Sequence, residues 1–571
     1  MNLVLFAPYS AIWQHAFPEA VLAESFQQLG HKVYYIVCNG VLNSGCIAMK
    51  ASGQHNSDDN IRKKTCQQCH FYRDALLKHL NFNVIFMDDY ITLQEKTQVD
   101  ALLSSLSTDN FIDFHYQGFP IGKMALYTII LKHKKMDCQL NDHQWKEYLN
   151  EIKLSLYAWI AADKILRQVS AQKVFVYNSL YGTNQALSSV CEKQGVDFYH
   201  IHSSNNFSNP FNALRIGKKG NFSIVNHMLQ VWIQRFQYTP CPKQVFDKVQ
   251  AHYQSLFSAK SVFVYSSPSS GKSVRDHFGL YNKQTITLVT LSSQDEIFAA
   301  QSVGEVTLNP EGLFSTQIEW LSHLAHLYAH KPEHCLIIRV HPREFPNKRE
   351  GVKSEHAAQL EALFATFPSH IKINLPSDNL SLYEIAMESD ICLNYISSAG
   401  LELSLLGLPV LTHAPQSLMM YPRTLLYTAD TLEEYNHTLT TLLSRKERLS
   451  IKRIRAIYRW YAVEFLYSEV DLSDSVHYKE ITTHSFAERV WGKIQRSVYP
   501  TYTQSQDCRK RAPVLKAQPL LQTFIDQNHD FLAECPRDFE LLSEEEEWEY
   551  VKTFSLSLKN NIKTGCQPTL A

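Results

Sequence analysis

The sequence predicts an α/β protein with two Rossmann-like domains that face each other across a cleft. Two observations lead to this prediction. The first 40 residues contain a strand, a helix and a second strand, and a similar series begins again at Thr285. A strand–helix–strand unit of about 35 residues is the repeating element of a parallel sheet. A length of 571 residues is also too great for one ordinary domain of roughly 100–200 residues.

In the first half, residues 3–6 are apolar, and apolar residues recur at helical spacing over 17–29, where Gly30 is placed to end a helix. Residues 33–37 form the second predicted strand. Further strands are predicted at 83–87, 173–177, 197–201 and 261–265, and helices at 151–169 and 183–194. In the second half, strands are predicted at 285–291, 335–340, 371–375, 391–395 and 409–412, and helices at 315–330, 380–388 and 401–406.

These elements divide the chain into three parts. Residues 1–280 form the N-terminal Rossmann-like domain, with a Cys-rich insertion at 38–73. Residues 281–450 form the C-terminal Rossmann-like domain. Residues 451–571 are predicted to be a helical extension that ends in an irregular tail.

The composition excludes several classes of protein. The chain is 45% hydrophobic and 19% charged, so it can bury large cores and is not a disordered protein. Its 55 Lys and Arg against 56 Asp and Glu give no support to nucleic-acid binding. The N-terminus lacks the features of a secretory signal, and no apolar run approaches the roughly 18 residues of a membrane span. We therefore expect a cytoplasmic enzyme.

The strongest candidate site combines two strand ends of the second half. Arg339 and His341 follow one predicted strand, and Ser397 and Ser398 follow another. In a parallel sheet both ends lie on the carboxyl edge, where ligands bind. A guanidinium, an imidazole, hydroxyls and the free N–H groups of a helix start together suit a phosphate. The alternative is a set of unrelated helix caps and strand stops.

Further residues fall beside this predicted phosphate site. Gly400 belongs to the same loop, and Glu402, one turn into the following helix, can accept hydrogen bonds from a ribose. Ser292 and Ser293 end the first strand of the second half and can add phosphate or sugar contacts. The alternative for Ser293 is a helix N-cap.

Two motifs carry a family resemblance. They read R-V-H-P-R-E at 339–344 and S-S-A-G-L-E-L-S-L-L-G-L-P-V-L-T at 397–412. The pair resembles the nucleotide-binding half of GT-B glycosyltransferases, above all the bacterial capsule-polysaccharide group and the sialyltransferase-like and Kdo-transferase-like enzymes. The resemblance implies that His341, Ser397 and Ser398 hold the phosphate of a CMP-activated sugar without a catalytic metal. Capsule-type enzymes often carry Lys where this chain has Arg339, so UDP- and CDP-sugars stay open as donors.

The resemblance implies a bacterial glycosyltransferase of capsule or lipopolysaccharide synthesis. It would move a sugar from CMP-Kdo or a CMP-nonulosonate, otherwise from a UDP-sugar, to a surface-glycan or lipid-linked acceptor. His341 is a candidate to protonate the leaving phosphate. Two alternatives remain, a nucleotide-sugar 2-epimerase with a similar two-domain shell and a non-catalytic scaffold of a capsule assembly complex.

Acceptor-side residues are predicted on loops of the first half. His15 and Glu19 lie four residues apart at the start of a helix, where either can act as a general base or orient an acceptor hydroxyl. The alternative is a capped helix with an exposed Glu. Weaker acceptor-side candidates on other loops are Gly118, Gly122, Asn178 and His202.

Two further predictions concern a metal and a membrane. Cys38, Cys46, Cys66 and Cys69 have the spacing C-x7-C-x19-C-x2-C, and the last pair has the spacing of a zinc knuckle. We expect a closed structural zinc site, with reduced, unliganded cysteines as the alternative. A basic helix over 444–459 can contact anionic lipid at the inner membrane surface, or can be the solvated face of a packing helix.

Overall fold

The computed structural model describes residues 1–51, 59–259, 261, 263–269, 271–306, 312–347, 351–477 and 501–563. Its strands are β1 Asn2–Phe6, β2 Lys32–Val37, β3 Asn83–Phe86, β4 Lys173–Tyr177, β5 Asp197–Ser203, β6 Ala213–Lys218, β7 Thr285–Thr290, β8 His334–Arg339, β9 Ile371–Asn374, β10 Ile391–Asn394, β11 Val410–Thr412, β12 Tyr427–Thr428 and β13 Glu469–Asp471.

The α-helices of the first domain are α1 Trp13–Gln28, α2 Ile47–Ala51, α3 Asp59–His79, α4 Leu93–Ser104, α5 Ile121–His133, α6 Asp142–Gln168, α7 Gly182–Gln194, α8 Asn221–Gln234 and α9 Gln244–Ser258. Those that follow are α10 Val274–Phe278, α11 Gln294–Ser302, α12 Gln317–Tyr328, α13 Glu355–Phe364, α14 Leu382–Glu388, α15 Ala399–Leu405, α16 Leu432–Arg445, α17 Ile451–Ala462, α18 Tyr502–Lys510, α19 Gln518–Asp526 and α20 Glu544–Lys563.

The strands form two separate sheets within the described residues. The first has the order β13-β6-β5-β4-β1-β2-β3, in which β6 and β13 are antiparallel to their neighbours and the other strands are parallel. The second has the order β12-β11-β10-β7-β8-β9 and is parallel throughout. The prediction of two Rossmann-like α/β domains, the arrangement of the GT-B class, is therefore confirmed.

The central strands explain why this architecture could be predicted. Every residue of β4, sequence KVFVY, and of β7, sequence TITLVT, is buried. Strands covered by helices on both faces carry continuous runs of apolar and β-branched residues rather than an alternating pattern. Such runs mark the middle of a parallel sheet.

Three predictions about individual elements are wrong. The described residues of 261–265 form a turn rather than a strand, because the Val264 N–H donates to the Ser261 carbonyl. The basic run at 444–459 is not one helix, since α16 ends at Arg445, Lys446 is left-handed, and α17 begins at Ile451. The tail expected to be irregular contains α18, α19 and α20.

The chain beyond residue 450 packs against both domains. Helix α17 leads through a π-helical turn, Val463–Tyr467, into β13 at the edge of the first sheet. In α17, Arg459 forms a buried ion pair with Glu547 of α20 at 2.6 Å, and Arg455 lies 3.5 Å from the same carboxylate. The acidic start of α20 thus neutralises two of the arginines that had suggested a membrane-binding face. Among the described helices, none combines the length with the continuous apolar sequence that a membrane span requires.

The end of α5 joins the two domains. Lys134, buried and left-handed, donates from Nζ to the carbonyls of Arg343 and Val352, the latter at 2.8 Å. Lys135 forms an ion pair with Glu355 at 2.7 Å. Helix α11 of the second domain packs directly on α5. These contacts fix the first domain beside the carboxyl edge of the second sheet.

Candidate phosphate and nucleotide site

Three adjoining cavities lie at the carboxyl edge of the second sheet. The first, of about 290 Å³, is lined by Ser292, Ser293, His341, Ser397 and Ser398, with Phe222 from α8 of the first domain on its far side. The second, of about 240 Å³, shares His341, Ser397 and Ser398 and adds Arg339 and Glu402. The third, of about 670 Å³, shares Arg339, Tyr265, Ser266 and Pro342 with the second.

The sheet explains why the predicted residues converge. Strands β7, β8 and β10 are neighbours, and the predicted side chains follow the carboxyl end of each. The structure therefore brings together the phosphate-site residues that were selected from strand ends. The convergence follows from parallel pairing, because neighbouring parallel strands end at one edge.

Arg339 brings a buried positive charge to the second cavity. Its Nη1 donates to Asn374 Oδ1 and to the Leu380 carbonyl, the latter at 2.9 Å. In the described part of the chain it forms no ion pair with a carboxylate. Burial lowers its pKa to about 10, so it stays charged at neutral pH. A buried guanidinium without a carboxylate partner is suited to bind an anion.

His341 offers a neutral hydrogen-bond donor. Its Nδ1 accepts the Arg343 N–H at 3.3 Å, which leaves the ring proton on Nε2. Shielding from water and the neighbouring charge of Arg343 lower the pKa of His341 to about 3. The ring is therefore uncharged at neutral pH, a state that favours hydrogen-bond donation over the predicted proton transfer to phosphate.

The loop after β10 that carries Ser397 and Ser398, the serine loop, is held in place by side chains that the sequence motifs do not include. The Ser397 carbonyl accepts from the Tyr421 hydroxyl at 2.9 Å and from Asn394 Nδ2 at 3.1 Å. The Thr290 hydroxyl donates to Asn394 Oδ1 at 2.7 Å and so orients that amide. A Cβ at Gly400 would lie 2.6 Å from both the Asn394 amide and the Tyr421 hydroxyl. Gly400 is thus required by close packing beneath the loop.

Ser398 and Glu402 are already hydrogen-bonded to each other. The exposed Ser398 hydroxyl donates to Glu402 Oε1 at 2.9 Å, and the Tyr383 hydroxyl donates to Oε2 at 2.7 Å. Burial raises the pKa of Glu402. Glu402 lines the second cavity, but each of its oxygens accepts one hydrogen bond before any ribose arrives.

Ser292 and Ser293 both line the first cavity, in different settings. The Ser292 hydroxyl accepts the Ile396 N–H at 3.3 Å. The Ser293 hydroxyl donates to Asp295 and accepts from Arg343 Nε at 3.1 Å, and it makes no helix-capping hydrogen bond. Ser293 thus stands at the N-cap position of α11, as the alternative has it, but its hydroxyl binds Asp295 and Arg343 instead of capping the helix.

The first-sheet candidates form a stack of rings at the carboxyl edge of that sheet. His15 lies 3.9 Å from Tyr177 between ring centroids, and Tyr177 lies 5.5 Å from His202. Shielding from water lowers the pKa of His15 to about 3 and that of His202 to about 4. Both rings are neutral at neutral pH, and the structure places His202 and His15 on either side of Tyr177; their acceptor-side role stays a prediction.

Glu19 lies beneath this stack rather than in the cleft. Its side chain is buried, and among the residues that the structure describes its Oε1 has no hydrogen-bond partner. Burial raises the pKa of Glu19 well above its ordinary value, and the Tyr177 backbone N–H only partly offsets this rise. The exposed-Glu alternative is therefore wrong, and a direct role as a base requires an acceptor to reach a buried group.

The remaining acceptor-side candidates have packing explanations. A Cβ at Gly122 would lie 2.1 Å from the Phe111 carbonyl, and Gly118 has a φ of +88° in a tight turn. Asn178, left-handed at the end of β4, accepts the Leu180 N–H at 3.1 Å. These three residues do not line the three cavities, and their acceptor role stays a prediction.

Aromatic residues connect the two candidate regions. Phe211 lies 6.1 Å from His15 and 5.6 Å from Phe263 between ring centroids. Phe263 and Phe207 line the second cavity. A continuous path of rings thus runs from the first-sheet stack to the phosphate site.

The four cysteines of the predicted zinc site lie in one region and are all free thiols. Burial raises the pKa of Cys66 to about 11 and of Cys69 to about 12, and the neighbouring Cys46 contributes to both increases. The four sulfur atoms do not all lie within 4.8 Å of one another. Among the described residues, the one group of metal-ligand atoms that meets this distance is His133, His143 and Glu147. The structural zinc therefore stays a prediction.

The His133, His143 and Glu147 set is best described as an ion-pair network. Glu147 accepts from His133 Nε2 at 2.7 Å and also binds the Lys132 ammonium. Lys50, Arg62 and Lys146 line the adjacent cavity. This concentration of positive charge opposes the binding of a divalent cation.

Sequence reasoning missed several residues of the site. Tyr265 and Phe207 come from loops without a motif, and Asn394 and Tyr421 act beneath the serine loop. Glu296 lines both the first and second cavities. Its position in the first turn of the helix after β7 was a usable signal, because that turn opens on the same carboxyl edge.

The chain matches no known protein-family profile and no curated protein. Among solved structures, it is similar to the β-Kdo 2,4-transferase KpsC of Thermosulfurimonas dismutans, with 12% identity and a TM-score of 0.31 over 50% of this chain and 78% of KpsC. It is similar to UDP-GlcNAc 2-epimerase from Neisseria meningitidis, with 11% identity and a TM-score of 0.28 over 81% of this chain and 96% of the epimerase. It is also similar to the calicheamicin glycosyltransferase CalG4, with 10% identity and a TM-score of 0.26 over 80% of this chain and 94% of CalG4. Values this low assign no substrate or reaction to this chain.

Proposed function

We propose that this protein is a glycosyltransferase that moves a sugar from a nucleotide-activated donor to a glycan or lipid-linked acceptor. The observation that supports this proposal is the buried Arg339 guanidinium, which shares a cavity with His341, Ser397 and Ser398. One fixed positive charge, one imidazole N–H and two hydroxyls match the oxygens of a phosphate.

The chemical role of this set is to stabilise the leaving nucleotide. As the bond between the sugar and the phosphate breaks, negative charge grows on the phosphate oxygens. A preorganised guanidinium that is itself buried stabilises that charge more strongly than water does. Because Arg339 supplies positive charge, the proposed mechanism contains no step that requires a metal ion.

The donor and acceptor are proposed from the motifs. CMP-Kdo or a CMP-nonulosonate is the first donor class, and a UDP-sugar is the second. The first domain, with His15 and His202 near the aromatic path, would hold a bacterial surface glycan or its lipid-linked precursor. Contact of region 444–459 with the inner membrane would use the exposed basic residues that do not pair with α20, such as Lys452.

The proposal can be tested by thermal stabilisation with CMP, CDP, UDP, GDP and ADP. A ligand at 100 times its Kd adds about 2.7 kcal/mol to the stability of the folded state. We expect stabilisation by CMP that is reduced in Ser398→Ala and retained in Ser322→Ala, a matched control on the exposed face of α12. Selective stabilisation by UDP or CDP would replace the CMP-sugar with a UDP- or CDP-sugar as the proposed donor.

Two further outcomes would contradict the proposal. No response to any nucleotide would favour a scaffold without a nucleotide site. If the protein binds a nucleotide, it should next be incubated with the matching nucleotide-sugar in the absence of acceptor. Formation of a sugar epimer under those conditions would indicate a 2-epimerase instead.

A further inference from the structure

A carboxylate faces the same space as the proposed phosphate ligands. Glu296, in the first turn of α11, lines both the first and the second cavity. His341, Ser397 and Ser398 are the other residues that line both cavities. A negative group in a space otherwise suited to phosphate is not explained by donor binding, since like charges repel.

Glu296 forms an ion pair with a buried arginine. Its Oε1 lies 3.4 Å from Nε of Arg343. Arg343 is itself held by Asp295, whose carboxylate is almost fully buried, and by the Ser293 hydroxyl. Because 53% of the Glu296 side chain is nevertheless exposed, its carboxylate is both anchored and accessible.

Helix α11 places this carboxylate at the junction with the first domain. Ala299 on the same helix is fully buried in the hydrophobic core of the first domain. The charge of Glu296 contributes to the raised pKa of Tyr127 on α5, although burial of Tyr127 is the larger cause. An acceptor bound by the first domain and a donor bound by the second would therefore meet near Glu296.

The other candidate carboxylates are less suited to receive a proton. Glu402 is the second carboxylate among the described residues that line the first two cavities, and both its oxygens already accept hydrogen bonds. Glu19 is buried beneath the ring stack of the first sheet. Accessibility thus distinguishes Glu296 from both.

We propose that Glu296 is the catalytic carboxylate of the transfer reaction, an inference that rests on the proposed function. The acceptor hydroxyl oxygen forms a bond to the anomeric carbon, and its proton moves to the Glu296 carboxylate. The bond between that carbon and the phosphate oxygen breaks, and its electron pair remains on the phosphate beside Arg339. No oxidant, reductant or further reactant is needed.

The first test compares Glu296→Gln with Glu333→Gln in the full chain. Glu333 is a matched control, because its side chain is 63% exposed at the opposite end of β8. General-base catalysis contributes about 10²–10⁴-fold, so we expect kcat of Glu296→Gln to fall about 100-fold or more while the donor KM does not rise. Glu333→Gln should keep the wild-type kcat. Formate, a small carboxylate, should partly restore turnover in Glu296→Ala.

A second measurement needs no turnover. The nucleotide used is the one that stabilises the wild type. Glu296→Gln should bind it about 3–10-fold more tightly, because the variant removes a negative charge beside the phosphate. Unchanged or weaker binding in Glu296→Gln, or full turnover by that variant, would overturn the inference and leave the proposed function intact. A wild-type protein that binds none of the nucleotides would overturn both.

Discussion

The carboxyl edges of the two sheets have the same topological position but opposite character. At the first edge, His15 stacks on Tyr177, His202 packs against Tyr177 at a tilt, and Glu19 is buried beneath these rings. At the second edge, small residues such as Ser397 and Ser398 leave cavities into which Arg339 and His341 project. The difference shows that a strand end becomes a binding site only where its side chains leave room for a ligand.

The largest expected effect is the loss of the Arg339 charge. Arg339→Ala should weaken nucleotide binding about 100-fold or more, because a hydrogen bond to a charged group contributes about 1.5–3 kcal/mol and two can form to one phosphate. Arg339→Lys keeps the charge without the planar fork and should lie between wild type and Ala. Isothermal titration calorimetry measures both. Equal nucleotide affinity in the wild type and both variants would show that Arg339 does not make the second sheet edge a phosphate site.

The next effect comes from the packing beneath the serine loop. Gly400→Ala places a methyl group against Asn394 and Tyr421 and should cost about 1–3 kcal/mol of stability, as overpacked cores do. Nucleotide affinity should fall with it because the Ser397 carbonyl loses its position. The control is Gly351→Ala, where a Cβ would meet no atom of the described residues within 4 Å. Urea denaturation of both variants gives the comparison, and equal stability would show that the loop can relax.

The ring stack of the first edge should control acid stability. The pKa of His15 is about 3 in the folded protein, below its ordinary value of 6.5, so the folded state resists protonation. Its contribution to stability is therefore complete above about pH 6.5 and is lost as pH falls toward 3.

His15→Phe retains the stack on Tyr177 but cannot be protonated. Between pH 6.5 and 4 its unfolding free energy should fall less steeply than that of wild type, by up to about 1.4 kcal/mol per pH unit. Urea titrations at several pH values measure the two slopes. Parallel slopes would show that His15 is already hydrated in the folded state.

The smallest effect is expected at Ser398. Ser398→Ala removes one hydroxyl from the cavities and one hydrogen bond to Glu402. Because the Ser398 hydroxyl must exchange its hydrogen bond to Glu402 for one to the phosphate, its net contribution is that of an ordinary hydrogen bond, about 0.5–1.5 kcal/mol, and nucleotide affinity should fall about 3–10-fold. Ser322→Ala, measured alongside it by calorimetry, should bind as wild type does. A loss as large as that of Arg339→Ala would mean that the loop, rather than the guanidinium, dominates phosphate binding.

The buried parallel strands could be predicted from sequence almost to the residue. The bounds predicted for β4 are those observed, because continuous apolar runs identify strands covered on both faces. Strand β13, three residues long, was missed since its only justification is antiparallel pairing with the distant β6. Pairing between distant segments leaves no local pattern.

The residues of the candidate site also fall into two groups, those that could be selected from the sequence and those that could not. Arg339, His341, Ser397 and Ser398 could be selected because strand ends mark the ligand-binding edge of a parallel sheet. The burial of Glu19 could not be predicted, since it depends on rings contributed by helix α1 and by strands β4 and β5, which are distant in sequence. Glu296 was passed over because its accessibility depends on the packing of α11 against the first domain.

The position of β13 late in the sequence has a consequence for folding during synthesis. Residues 469–471 complete the edge of the first sheet, but they follow the entire second domain in the chain. During synthesis the first domain therefore emerges with the outer side of β6 unpaired, and it must wait for the second domain before that edge is covered. An unpaired strand edge promotes association between chains. Production of shortened chains that end before residue 469 should accordingly give aggregation rather than an isolated first domain.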